Sequence, residues 1–424
     1  MRLGATLAVA VVIVASRAEA ETRLSLSDAQ AEARAHAPEG AELEARLRGA
    51  QMAADAASRV FRSNPSVSGA YTPGPLTGHP DEQSWEIGLS QTFDLSGSWK
   101  PRGASAAADR DRAAHEREDG LRALDEAVAV AVADVAQAQR RVARGERIAR
   151  LQAVSSEAAH KQLEVGQGNQ LDVDAADLDL AAARADSARA QGDLDSARAR
   201  LARLLGREGY AELVVDDPTE SSQAQAGVTL AALVDRDPRV RAADAELRAA
   251  RFELATHERT IWPEVTVGTF YGYHRRDIPV GSFQGPESAG LSAQWTDTEL
   301  GFKLQFPLPV FERKQTERAR ASGRIFLAEV QLQKAQADVR QELQSSGAAL
   351  EAAQKAFDEL SKTPEIIDRE FDLLDKSFRA GALDAVARAL ALRRLQEAAT
   401  RYDAAVRDLR VARARWLRRT SGLQ

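Results

Sequence analysis

Two periodicities of hydrophobic residues follow one another along the chain, and each occurs twice. The first is a strict alternation of apolar with polar or small residues over about ten positions, with tryptophan or tyrosine included. The apolar positions of these runs are Trp85, Ile87, Leu89 and Phe93 in the first half and Leu300, Phe302, Leu304 and Phe306 in the second. Such a pattern is typical of transmembrane β-strands whose apolar side chains face lipid, but an ordinary half-buried hairpin shows it too. The pattern by itself leaves both interpretations open.

The second periodicity is a step of three and four residues, which predicts coiled-coil helices. One seam consists of Leu121, Leu124, Val128, Ala131, Val135, Ala138 and Val142, and the other of Ile325, Ala328, Leu332, Ala335 and Val339. The stretch 102–165 lacks proline, so a helix of ~100 Å is possible at 1.5 Å per residue. A matching helix is expected over 314–379, with a kink at Pro364. Helices this long and thin bury little surface on their own, so the protein is expected to assemble.

Similar segments recur in the two halves of the chain, which indicates a duplication. The segment WEIGLSQTFDL at 85–95 corresponds to TELGFKLQFPL at 298–308, and ARARL at 197–201 corresponds to ARARW at 412–416. A period of this length is too long for a solenoid repeat and indicates a duplicated domain. We therefore predict a first repeat at 21–206, a linker at 207–227 and a second repeat at 228–424. Each repeat should run helix, two strands and two long helices.

Residues 1–20 have the features of a secretory signal peptide. Arg2 provides a positive start, an apolar run spans 5–15, and Ala18-Glu19-Ala20 forms an A-x-A cleavage site. The apolar run is shorter than the ~20 residues that a transmembrane helix requires. The mature protein is therefore expected beyond the inner membrane.

Composition excludes several classes of function. There is no cysteine among the 424 residues, which removes disulfide frameworks, thiolate zinc sites and cysteine nucleophiles. A formal net charge of -6 argues against a nucleic-acid-binding protein. The six histidines show no ligand spacing, and no phosphate-binding loop is present. We predict no enzyme activity, no metal site and no cofactor.

Between the long helices, each repeat contains a glycine-bearing turn followed by an acidic helix start. The residues concerned are Gly166, Gly168, Leu171, Asp172 and Asp174 in the first repeat and Gly381, Leu383 and Asp384 in the second. Glycine permits the left-handed backbone that ends a helix, and aspartate in a first turn favours the next helix. Helix capping is therefore a sufficient explanation for at least one aspartate in each turn.

Taken together, the signal peptide, duplication, paired strands and heptad helices resemble the TolC-like outer-membrane factors of tripartite efflux systems. Two segments, LSQTFDLSGSWKPR at 89–102 and FPLPVFERKQ at 306–315, are similar to strand exits in the cobalt–zinc–cadmium class of that family. Gly97, Pro307 and Pro309 fall in these exits, where the prolines end the strand and set the turn into the helix. The resemblance extends from about Leu24 to Gly422.

The resemblance implies a fold that is mainly α with a small β part. It consists of long coiled-coil helical hairpins and two β-hairpins that trimerise into a twelve-stranded outer-membrane β-barrel and a periplasmic α-helical barrel. It further implies a passive conduit in the outer membrane and periplasm of a Gram-negative bacterium, embedded in lipid and working with a periplasmic adaptor and an inner-membrane RND pump. The two turns would form the periplasmic tip, with heavy-metal cations as an expected cargo. One alternative is a periplasmic coiled-coil adaptor, but an adaptor has a single helical hairpin flanked by β-rich domains that this sequence does not show. The other is a coiled-coil structural protein, which would not need two barrel-like hairpins at matching places in a duplication.

Overall fold

The structure is a computed structural model, and it describes residues 23–60, 63–73, 83–210, 213–216, 229–261, 264–279, 292–379 and 385–420. The predicted signal peptide, part of the predicted linker and the second glycine turn, including Gly381, Leu383 and Asp384, lie outside the described residues.

The described residues form nine helices and four strands, so the prediction of a mainly helical fold with a small β part is confirmed. The first half contains α1 (Leu26–His36), α2 (Pro38–Ala57), β1 (Ser66–Pro73), β2 (Gln83–Phe93), α3 (Trp99–Glu164) and α4 (Gln170–Leu205). The second half contains α5 (Leu230–Arg236), α6 (Pro238–Arg259), β3 (Val265–Pro279), β4 (Ser292–Gln305), α7 (Gln315–Leu360), α8 (Thr363–Arg379) and α9 (Ala385–Thr420). Among the described helices, none combines the length and apolarity needed to cross a membrane.

The heptad seam of α3 is buried as its periodicity predicts. Val128 and Val135 are fully buried, and they join a hydrophobic cluster with Ala33 of α1 and Leu201 of α4. Alanine occupies many of these seam positions, which allows the helices to approach closely. The 66-residue length of α3 follows from the absence of proline after its first turn.

The helix expected over 314–379 is interrupted rather than kinked. Its first part ends at Leu360, and α8 begins at Thr363 with Pro364 as its second residue. Proline lacks an N–H group, and its ring clashes with the carbonyl four positions earlier, which here belongs to Leu360. The break therefore falls at the position that proline chemistry dictates.

The four strands form one antiparallel sheet in the order β1-β2-β3-β4. Two strand pairs were expected from the sequence, and the additional pairing of β2 with β3 joins them into a single sheet. Within the described residues, β1 and β4 are the outer strands, and each has one edge without a partner. An unpaired strand edge is a template for pairing with another chain.

The chain divides into two compact units that do not coincide with the two repeats. One comprises Met1–Ala41, Leu121–Gly227 and Leu343–Gln424, and the other Glu42–Gly120 and Val228–Glu342. The second unit contains the whole sheet, whereas the first contains the turn between α3 and α4. Each unit is thus assembled from segments of both halves of the chain.

Candidate functional site

The register of the sheet places the alternating apolar residues of different strands on one face. Directly opposed residues in a sheet project from the same face, and Val67, Leu89, Thr269 and Phe302 lie in one row across all four strands. The neighbouring rows lie two residues away along each strand, so their side chains project from the same face. They contain Ile87 with Leu300, Val267 with Leu304, and Phe93 with Val265. All the predicted lipid-facing positions within the strands therefore share one face.

That face is exposed in the single chain. Phe302 is 84% exposed, Leu300 70% and Leu304 64%. Ile87 and Leu89 are exposed as well, and Phe306 is exposed just beyond the end of β4. A contiguous apolar surface of this kind marks a site for lipid or for another protein.

Aromatic residues gather at one end of the apolar face. Trp85 stacks on Tyr273 with ring centroids 5.9 Å apart, and Tyr271 lies 5.6 Å from Trp85 at a tilted angle. These contacts explain why Trp85 is only half-exposed. Aromatic residues bordering an apolar band are characteristic of membrane interfaces.

The opposite face of the sheet is polar or lined by glycine. The hydroxyls of Thr92 and Thr266 lie 2.8 Å apart, and Ser66 and Ser90 form a similar pair across β1 and β2. Phe270 and Trp295 are large aromatic residues on this face. The ring of Phe270 covers Gly301 so closely that a Cβ there would lie 2.3 Å from Cζ. The two faces therefore differ in chemistry along the full length that the strands share.

The exit from β2 into α3 is a hydrogen-bonded turn around Asp94. Its carboxylate accepts hydrogen bonds from the Ser96 N–H at 2.9 Å and from the buried Ser98 Oγ at 2.5 Å. Partial burial raises the pKa of Asp94, but the hydrogen bonds from Ser96 and Ser98 outweigh it and hold the pKa below its ordinary value. Gly97 follows with φ at 67°, a backbone conformation that favours glycine.

The exit from β4 into α7 contains Pro307 and Pro309 in a segment without regular structure. Lys314, immediately before α7, has φ at 59°, and it is the non-glycine residue with positive φ among the described residues. Its N–H donates to Glu312 Oε1 at 2.7 Å, which compensates for part of the backbone strain. The sequence analysis missed this residue because lysine gives no signal for a left-handed conformation.

The turn between α3 and α4 is a hydrogen-bonded reversal. Gly166 has φ at 71°, and the N–H groups of Gln167 and Gly168 both donate to the Gln162 carbonyl, at 2.9 and 3.1 Å. A Cβ on Gly168 would lie 3.2 Å from the Leu163 nitrogen, so a larger residue would press on the end of α3. Both glycines therefore have a structural role in closing the turn.

Asn169, which sequence analysis did not single out, caps α4. Its side-chain oxygen accepts a hydrogen bond from the Asp172 N–H at 2.9 Å. Its position before the first helical residue and the strong preference of asparagine for caps could have revealed it. Asp172 is thus the third residue of the helix, and its exposed carboxylate is not the N-cap group.

The start of α4 is acidic and exposed. Asp174 accepts a hydrogen bond from Gln170 Nε2 at 2.8 Å, and Asp177 accepts from Ser156 Oγ at 2.5 Å and approaches His160 Nε2 at 3.1 Å. The hydrogen bond from Ser156, aided by that from His160, lowers the pKa of Asp177. With Asp172 and Asp179, four carboxylates occur in the first ten residues of α4, which contain no lysine or arginine. Leu171 is 76% exposed beside them.

Within the described residues, no group of three or more histidine, aspartate or glutamate side chains is arranged to hold a metal ion.

The sequence matches the outer membrane efflux protein family over residues 18–207 and again over 229–415. No curated protein is found to match it. Solved structures share the fold. CusC, whose structures concern conformational changes that accompany folding and transmembrane channel formation, is 19% identical with a TM-score of 0.71, over 94% of this chain and 92% of that one. The outer-membrane channel OprN is 20% identical with a TM-score of 0.72, over 94% and 90%. A membrane protein from Pseudomonas aeruginosa is 18% identical with a TM-score of 0.74, over 93% of both chains.

The chain belongs to the outer membrane efflux protein family. Members of this family are non-enzymatic, trimeric transport channels of the Gram-negative outer membrane that work with adaptor and inner-membrane pump partners. This chain is accordingly a component of an outer-membrane efflux channel, and the alternatives of an adaptor or a coiled-coil structural protein do not hold.

Proposed function

We propose that three copies of this chain form a passive conduit through the outer membrane and periplasm, served by a periplasmic adaptor and an inner-membrane pump of the RND type. The observation that carries the proposal is the sheet, which combines an exposed apolar face with unpartnered edges on β1 and β4. Four strands cannot close a barrel, whereas three such sheets joined edge to edge supply twelve. The apolar face would then meet lipid and the polar face the lumen.

The turn between α3 and α4 is the proposed contact with the adaptor. Leu171 and Val165 expose large apolar side chains on either side of Gly166 and Gly168, next to the carboxylates of α4. An exposed apolar patch rimmed by charge favours a protein partner. The corresponding turn of the second repeat, with Gly381, Leu383 and Asp384, is proposed for the same role on the basis of sequence alone.

For the cargo, we favour heavy-metal cations. Asn169 supplies the cap of α4, so the charge of Asp172 is not required for capping. In a trimer, Asp172 and Asp384 would bring six carboxylates round one opening, and such a ring attracts cations and repels anions. The similarity of the strand exits to the cobalt–zinc–cadmium class points in the same direction.

Assembly and location provide the first test. The mature chain purified in detergent should scatter light as a trimer, and membrane fractionation should recover it with the outer membrane. A monodisperse monomer would contradict the proposed conduit.

Selectivity provides the second test. The double variant Asp172→Asn with Asp384→Asn, reconstituted in planar bilayers, should show weaker cation selectivity and weaker block by divalent cations while remaining a trimer. Asp186→Asn is a matched control, because Asp186 is an exposed residue of the same helix ~21 Å from Asp172. Unchanged selectivity in a stable trimer would refute the role of the acidic turn but leave the conduit intact.

A further inference from the structure

Helix α2 carries two apolar stripes, and only one of them is covered. The first consists of Leu43, Leu47, Ala50, Ala54 and Ala57, which are all half-buried. The second steps by four, three and four residues through Ala45, Gly49, Met52 and Ala56, which are all exposed. Met52 is 68% exposed, and a Cβ placed on Gly49 would meet nothing within 4 Å. A helix-interior glycine beside empty space is costly unless something approaches it closely.

Helix α7 repeats this arrangement. Its inner stripe contains the buried Ala328 and Val339, whereas Ala319, Gly323, Phe326 and Val330 form an exposed stripe with the same steps of four, three and four. Phe326 is 68% exposed, and Gly323 also has open space around it. Both helices therefore present an outer coiled-coil seam without a partner among the described residues.

These two helices lie at the ends of a helix layer in the sheet-bearing unit. Arg117 of α3 pairs with Glu44 of α2 at 2.8 Å, so α2 adjoins α3. Ser105 of α3 donates to the Ala249 carbonyl of α6 at 3.0 Å, and Arg324 of α7 pairs with Glu253 of α6 at 2.6 Å. The order α2-α3-α6-α7 matches the strand order β1-β2-β3-β4. The outer seams are thus at the same two ends as the unpaired strand edges.

The two outer seams complement each other in size. Helix α2 runs toward the sheet and α7 runs away from it, so a contact between them is antiparallel. The two exposed stripes can be paired in order, starting from the helix ends next to the sheet. The α2–α7 pairs are then Ala56 with Ala319, Met52 with Gly323, Gly49 with Phe326, and Ala45 with Val330. Each large residue then faces a small one, with Met52 over Gly323 and Phe326 over Gly49. This is the knobs-into-holes arrangement that coiled coils use.

We propose that the outer seam of α7 in one protomer packs against the outer seam of α2 in the next, which extends the contact between β4 and β1 into the helices. This rests on the trimer proposed above and adds the helical faces that form its interface. The contact is head-to-tail, so three copies close a ring through one repeated interface.

Cysteine cross-linking tests this directly because the chain has no cysteine of its own. The double variant Gly49→Cys with Phe326→Cys, oxidised mildly as the full-length protein in membranes, should form covalent dimers and closed trimers on denaturing gels. Each single variant should form none, because equivalent residues of a threefold ring lie far beyond the ~7 Å limit for Cα atoms joined by a disulfide. Gln51→Cys with Gln331→Cys is the matched control, since both residues are exposed on the same helices but lie off the seams.

The outcomes separate this inference from the proposed function. Absence of cross-linking in a protein that still scatters as a trimer would overturn the α7–α2 contact and leave the conduit standing. Cross-linking of the single Phe326→Cys variant would also overturn it, because that requires an α7–α7 contact. A protein that is monomeric throughout would contradict both.

Size exchange gives a second readout. Gly49→Leu should reduce the trimer fraction by roughly tenfold because it occupies the space for Phe326. Adding Phe326→Ala should recover much of the trimer, whereas a merely local effect on α2 would not be reversed by a change on α7. Failure of the second substitution to restore any trimer would overturn the proposed pairing of these two positions.

Discussion

Phe302→Arg is the most direct test of which face of the sheet meets lipid. Five rows of residues cross the apolar face, from the row of Trp85 to the row of Phe93, and Phe302 lies in the third. Its side chain is 84% exposed, so an arginine there meets whatever covers the face and has little protein to pack against. If lipid covers the face, the substituted charge lies at the centre of the apolar band.

The expected magnitude follows from the strand geometry. Successive rows are two residues apart, or ~7 Å along the strand at 3.4 Å per residue, so five rows span ~27 Å. With strands tilted by ~45°, the band is ~19 Å thick, comparable with the ~25 Å apolar band of outer-membrane barrels. Arginine at the midplane costs ~2–4 kcal/mol per chain, and the cost falls to ~0–1 kcal/mol near the interface. Leu304, the second-to-last residue of β4, is ~5 Å from the centre by this tilt, so Leu304→Arg should cost less than Phe302→Arg.

Urea titration of the protein folded in lipid vesicles, together with outer-membrane yield, measures the effect. Lys303→Glu is the control, because Lys303 opposes Gly268 on the other face and should tolerate a change of charge. The expected order of destabilisation is Phe302→Arg, then Leu304→Arg, then Lys303→Glu. An equal effect of Phe302→Arg and Lys303→Glu would refute the assignment of faces, and a larger effect at Leu304 would refute the assignment of depth.

Three further predictions concern individual contacts. Asn169→Ala should destabilise the first turn of α4 by ~1 kcal/mol through loss of the cap, seen as faster amide exchange there; exchange as slow as in the native protein would exclude the cap. Asp403→Asn should cost ~3–5 kcal/mol and lower the melting temperature, because it removes the buried carboxylate charge that Arg140 and Arg144 contact; an unchanged melting temperature would contradict this. Asp94→Asn should lower the free energy of unfolding by its full amount at neutral pH and by progressively less below about pH 4. The reason is that the Asp94 carboxyl has a lower pKa in the folded than in the unfolded protein, so the stabilisation that its charge provides disappears as the pH falls through the folded pKa. Free energies of unfolding measured at pH 7 and pH 3 check the Asp94→Asn prediction, and an equal loss of stability at both pH values would refute it.

The long helices and strands could be predicted from periodicity because each buries or exposes one face in a regular pattern. Val128 and Val135 are fully buried in α3, at positions that the heptad pattern predicted. Local backbone chemistry also left clear traces, since Gly97 and Gly166 both adopt positive φ in predicted turns. The roles of the candidate residues in lipid and adaptor contact stay predictions.

Other features could not be predicted because they depend on distant residues or on weak local preferences. Lys314 adopts a left-handed conformation that no preference of lysine suggests, and the break before Thr363 is complete where a kink was expected. Asn169 takes the capping role that sequence analysis had assigned to an aspartate. Local hydrogen bonds decide the outcome at Asn169 and Lys314, whereas the ring and the missing N–H of Pro364 decide it before Thr363. A pattern of apolar residues carries no information about any of the three.

The sequence by itself therefore determined the type and length of the main elements, because helical and strand periods are set by the spacing of apolar residues along one segment. Only the tertiary structure decided that β2 pairs with β3, since hydrogen bonding between strands of different repeats brings together residues about 180 positions apart. That pairing puts Leu89 and Phe302 in one row and leaves the edges of β1 and β4 open. The packing of α2 against α3 and of α7 against α6 likewise determines which apolar stripe of each helix is covered and which remains as an outer seam. Which faces stay uncovered is a property of the packed helices and strands together, and it cannot be read from any one of them.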